Sequence, residues 1–135
     1  MKTKLVVDAS VWIKLMDGSR EEVEIIEDLL RLVNNREVEV ISPNLACLEI
    51  LNVLIRSKKT SAERGTEFLK RLELVGVEFV VTKMEDLSRA AALMIKYDLT
   101  AYDGCYLGLA TENGVKLLTA DKKLLATPLG ISLSQ

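Results

Sequence analysis

The chain has 135 residues, 49% hydrophobic and 28% charged, with a net charge of -2; this favours a single domain, residues 1–135, built around one core. It contains no histidine, which excludes Ser-His-Asp and Cys-His catalysis and His-ligated zinc. Its two cysteines form no cluster, so a metal would have to be held by oxygen, and its balanced charge gives no general field for nucleic acid.

Lys4-Leu5-Val6-Val7 reads as a short strand buried on both faces, as in the interior of a parallel sheet, and it ends on Asp8. Met1-Lys2-Thr3-Lys4 leads straight into it, so no signal peptide is expected. No apolar run reaches the ~18–20 residues of a membrane helix. Cys47 and Cys105 lie in apolar helical patterns and suit small buried residues in a reducing, cytoplasmic setting.

A short helix is expected over residues 10–16, closed by Asp17-Gly18. Ser19-Arg20-Glu21-Glu22 has the form of a capping box, opening a helix with Val23, Ile26, Leu30 and Val33 on one face. A second strand is expected at 37–41. Ser42-Pro43 then reads as an N-cap and first helical residue, beginning an apolar helix over 43–57. Thr60-Ser61-Ala62-Glu63 offers another capping box, for a helix turning Phe68, Leu69 and Leu72 inward and stopping at Gly76. A strand at 77–82 and a helix at 84–97 burying Leu87, Ala91 and Met94 come next. Thr100 caps a helix to Asn113, followed by a strand at 115–119, a helical turn after Asp121, and a last strand at 130–133. Strands alternate with helices throughout, which predicts an α/β fold with a mostly parallel sheet.

Four acids stand out. Asp8 and Asp121 each follow a strand, where open α/β sheets bind ligands, although either could simply cap the next helix. Glu49 sits in a Leu-rich helix, sharing its side with Leu45, Ala46, Asn52, Val53 and Arg56, and a carboxylate there is costly to bury unless paired or bound to a cation. Asp103 is the fourth residue of a T-x-x-D capping box, which by itself accounts for it. Two strand ends opening on one sheet edge, joined by acids from two helices, would repel one another without a cation. Phosphodiester hydrolysis by one or two Mg²⁺ or Mn²⁺ ions is the chemistry such a cluster serves.

Four segments resemble the PIN domains, and within them the VapC-type toxins: Val6-Val7-Asp8-Ala9-Ser10; Leu48-Glu49-Ile50-Leu51-Asn52-Val53-Leu54; Thr100-Ala101-Tyr102-Asp103-Gly104-Cys105-Tyr106-Leu107-Gly108-Leu109-Ala110; and Leu118-Thr119-Ala120-Asp121-Lys122-Lys123-Leu124. They follow the family's order over essentially the whole chain. The resemblance implies three α/β/α layers around a five-stranded sheet in the order 3-2-1-4-5. It implies an acidic site of Asp8, Glu49, Asp103 and Asp121, assisted by the hydroxyls of Ser10 and Thr119; Asn52, which shares the helix side of Glu49, is a further supporting candidate. It also implies Mg²⁺ or Mn²⁺ as cofactor, endonucleolytic cleavage of RNA, a homodimer, and a VapB-type antitoxin that blocks the site with its C-terminal segment. Lys14, Arg56, Lys122 and Lys123 are candidate contacts for RNA phosphates. A catalytically weak RNA-binding module and a nuclease of RNA processing or decay are the alternatives. A phosphotransferase of the haloacid-dehalogenase type would need a second Asp where Ser10 stands, and a response-regulator receiver would need an Asp after the third strand, which 77–83 lacks.

Overall fold

The computed structural model describes residues 2–134; Met1 and Gln135, the two ends of the expected domain, lie outside the described residues. The first apolar run forms β1 (Thr3–Val7), in which Val6 and Val7 are both fully buried. Successive strand residues point to opposite faces, so β1 is covered on both sides. Asp8 ends the strand and caps α1 (Ala9–Asp17), and Ser19 and Glu22 form the expected reciprocal capping box of α2 (Arg20–Asn34).

The chain continues through β2 (Val38–Pro43), α3 (Leu45–Leu51) with a π-helical continuation Asn52–Ser57, α4 (Ala62–Val75), β3 (Glu78–Val80), α5 (Met84–Tyr97), α6 (Ala101–Asn113), β4 (Lys116–Leu118), α7 (Lys122–Leu125) and β5 (Gly130–Ile131). The sheet order is β3-β2-β1-β4-β5, as expected, and every pair is parallel. From β1 the chain winds outward through β2 to β3, then crosses back to β4 and winds the other way. Right-handed crossovers therefore put α1–α4 on one face and α5–α7 on the other, giving three layers. The reversal makes the gap between the ends of β1 and β4 a topological switch point, where folds of this class bind ligands. Among the described residues no helix is long and apolar enough to cross a membrane.

Some local expectations are corrected. Ser42-Pro43 is not a helix start: both residues continue β2, paired with Phe79 and Val80, and the Ser42 hydroxyl donates to the Val7 carbonyl at 2.5 Å. The strand pairing outweighs the local N-cap signal, and α3 begins only at Leu45. The cap of α4 is Ser61, which accepts from the Arg64 N–H at 3.2 Å, rather than Thr60. On α5, Leu87 and Ala91 are exposed while Ala90 is buried and Met94 half-buried. Gly104 on α6 is the cause: a Cβ there would sit 2.9 Å from the Ala90 carbonyl oxygen, so the glycine lets the two helices close up around Ala90. The third and fifth strands are also shorter than expected, three and two residues long.

Candidate active site

Asp8 is the centre of the site. Its backbone N–H extends the β1–β4 ladder by donating to the Leu118 carbonyl at 3.1 Å. The residue is only 5% exposed. Oδ1 accepts from the Ser10 N–H and Oδ2 from the Thr119 hydroxyl, each at 2.5 Å. Asp8 thus does cap α1, and the cap uses one lone pair on one oxygen, which leaves acceptor capacity on both. Burial pushes its carboxyl above the usual carboxylate range; the hydrogen bonds of Ser10 and Thr119 oppose that shift, and the charge of Asp121 adds to it.

The two hydroxyls expected beside it tie the strand ends together. Thr119 is fully buried, and its Oγ1 also accepts from the Asp121 N–H at 3.0 Å. Ser10 Oγ accepts from the Ala120 N–H at 3.0 Å, locking α1 to the turn after β4. Asp121 caps α7 through Oδ1, which accepts from Lys123 and Leu124 at 2.9 and 3.2 Å.

Asp103 does not complete the capping box that could have explained it. Thr100 Oγ1 accepts from the Asp103 N–H at 3.2 Å, and the reciprocal bond, donated by the Thr100 N–H to the Asp103 carboxylate, is not made. Burial raises the Asp103 carboxyl, and the charges of Asp121 and Asp8 raise it further. Glu49 is half-buried on α3, and Oε1 accepts from the Tyr106 hydroxyl at 2.7 Å. Its carboxyl is raised by burial first, with the charges of Asp8 and Asp103 adding. Each of the four acids therefore lies in the field of at least one other. None forms a salt bridge among the described residues, whose pairs all lie elsewhere.

The four are an electrostatic group rather than a finished chelate. Among the described residues no three acidic, Cys or His side chains are set as a ready ion cage. That arrangement still fits Mg²⁺ or Mn²⁺: Mg²⁺ is usually held by one or two carboxylates, keeps several waters and completes its shell with substrate phosphate. A buried anion with spare lone pairs and no cation beside it is the observation that favours such an ion.

Asn52, the supporting candidate, is exposed at the start of the π-helical turn and bonds to none of the four acids. Of the candidate cations, Lys14 pairs with Glu22 at 2.9 Å and Lys123 with Asp98 at 3.0 Å, while Arg56 and Lys122 are exposed and form no ion pair among the described residues. Tyr106 was not singled out from the sequence. Its signal was there: it lies three residues after Asp103, one helical turn on, and a buried tyrosine needs a partner for its hydroxyl.

A family model described as PIN domain matches residues 5–128. The chain is 35% identical over 125 residues to Ribonuclease VapC3 from Pyrobaculum aerophilum, covering 90% of this chain and 92% of that protein. Its fold is similar to a toxin–antitoxin complex from Klebsiella pneumoniae (TM-score 0.67, 18% identity, 96% of this chain and 97% of the other). It is also similar to Mycobacterium tuberculosis VapC20, described as a sarcin-ricin loop cleaving toxin (TM-score 0.71, 15% identity, 93% and 95% of the two chains).

Proposed function

This chain belongs to the PIN domain family, and on that footing we propose that it is a Mg²⁺- or Mn²⁺-dependent endoribonuclease, acting in the cytoplasm as the toxin of a VapBC-type pair. The observation that carries the reading is Asp8: a buried carboxylate at the switch point, in no salt bridge among the described residues and in the field of Asp121. The likeness to a ribonuclease supports RNA as the substrate.

When bound, the divalent cation supplies Lewis acidity toward the phosphodiester and lowers the pKa of water. The chain's own groups divide the remaining work. Asp8 and Asp103 would hold the ion, with Asp121 as a further candidate contact. Thr119 and Ser10 fix the ends of β1 and β4 relative to each other, so the Asp8 carboxylate keeps one orientation. Glu49 has Oε1 occupied by Tyr106, which leaves Oε2 to orient the attacking water and take its proton. Arg56 and Lys122, exposed and in no ion pair among the described residues, meet flanking RNA phosphates.

The VapB-type antitoxin covers this edge of the sheet. Leu48, Leu87 and Tyr102, which are 70%, 45% and 63% exposed and line one shallow groove, supply apolar surface for a homodimer. The test is cleavage of a mixed RNA pool by purified protein in Mn²⁺, in Mg²⁺ and in EDTA, beside Asp8→Asn. Metal-dependent cutting lost in the variant is expected. RNA binding without cutting in either metal would instead indicate a binding module.

A further inference from the structure

Helix α6 brings two groups to the site, and only Asp103 has been given a task. Tyr106, on the same face one turn later, is 1% exposed. Its hydroxyl donates to Glu49 Oε1 at 2.7 Å and accepts from the Ala9 N–H at 3.3 Å. Ala9 is the first residue of α1, immediately after Asp8, so one phenol oxygen joins α6, α3 and the start of α1.

The bond to Tyr106 is the only one that holds the Glu49 carboxylate among the described residues. A glutamate has three side-chain torsions, and without an anchor its half-buried carboxylate would occupy several rotamers. A phenylalanine would fill the same core volume but offer nothing to Glu49 or to the Ala9 N–H. We propose that Tyr106 is a positioning residue: its hydroxyl, seated on the Ala9 N–H, holds the Glu49 carboxylate in a single orientation toward the acids at the sheet edge. The inference rests on the ribonuclease reading for its kinetic consequence, and on geometry alone for its structural one.

Two measurements on the full chain test it. RNA cleavage is compared for the wild type, Tyr106→Phe, Glu49→Ala and the double variant. The side-chain carboxyl carbon resonance of Glu49 is recorded by NMR in the metal-free wild type and in Tyr106→Phe, with melting temperatures to confirm folding. Partners that orient a site's ligands typically matter by 10- to 100-fold, so Tyr106→Phe should lower kcat by about that factor with KM unchanged. In the Glu49→Ala background the same substitution should change kcat by less than about twofold, since nothing is left to position. The Glu49 resonance should be single and sharp in the wild type and shifted or exchange-broadened in Tyr106→Phe.

An equal loss in both backgrounds, or an unmoved Glu49 resonance, would overturn the proposal and leave Tyr106 as a core residue satisfying Ala9. A wild type that cuts no RNA would sink the functional reading instead, and the resonance would still decide this one.

Discussion

The acids of the outer helices and the acids at the carboxyl edge of the sheet are treated in opposite ways. Outside, acids sit beside bases: Lys14–Glu22, Lys58–Asp17 and Arg71–Glu67 each close to 2.9 Å, and Arg89 reaches both Asp86 and Glu112. The Lys14 bond holds Glu22 below the usual range, and the Lys83 backbone N–H does the same for Asp86. At the sheet edge Asp8, Glu49 and Asp103 are pushed up by burial first, with the charge of Asp121 adding for Asp8, those of Asp121 and Asp8 for Asp103, and those of Asp8 and Asp103 for Glu49. Their hydrogen-bond partners are hydroxyls and N–H groups, and among the described residues none of the three closes a salt bridge, although the charge of Lys123 reaches Asp103. The surface neutralises its charge locally, whereas the edge accumulates charge at a cost in stability, which is the mark of a site kept for something other than folding.

The sharpest way to break this contrast is Asp8→Asn. Asparagine still caps α1 and can still bond Thr119, so the fold should hold while metal-dependent RNA cleavage falls by more than about 100-fold, beyond the loss seen for outer partners of a metal site. Retained cleavage would remove Asp8 from the chemistry.

The pH dependence comes next. Asp8, Glu49 and Asp103 bind protons more tightly folded than unfolded, so in EDTA their contribution is fully present below the ordinary values of 3.8 and 4.5 and is lost as pH rises through the raised folded values. Glu22 and Asp86 act in the opposite sense, their contribution lost as pH falls through their lowered values. As pH rises through those raised folded values the metal-free protein should therefore lose the part of its stability that these three acids supply. Urea denaturation across pH reads this slope, and a flat profile would mean that the acids are farther apart than the structure has them. Asp103→Asn removes the charge that Asp8 and Asp121 repel and should raise the melting temperature of the metal-free protein near neutral pH.

The smallest effect belongs to the outside. Arg71→Ala removes an exposed i,i+4 pair and should cost about 0.3–0.5 kcal/mol, less in high salt. A larger loss there would blur the distinction between the two regions.

Much of this edge was legible in the chain. The run Val6-Val7-Asp8 and its echo Leu118-Thr119-Ala120-Asp121 announce two strand ends with acids, and the resemblance supplied the strand order. Tertiary contacts decided the rest. Ser42-Pro43 carries a local helix-start signal, but β3 on one side and the Val7 carbonyl on the other keep it in the sheet. The inward face of α5 depends on a glycine in another helix, Gly104, which no periodicity within α5 reveals. The Tyr106–Glu49 bond spans 57 residues of sequence, and spacing along one helix could not pair them.

The central claim, that the unpaired acids await a divalent cation, is most directly tested by titrating the purified wild type and Asp8→Asn with Mn²⁺ and following the melting temperature. At about a hundredfold excess over Kd, Mn²⁺ should stabilise the wild type by about 2.7 kcal/mol, several degrees in Tm, and the variant far less. A wild-type melting temperature unchanged by millimolar Mn²⁺, or raised equally in the variant, would contradict it.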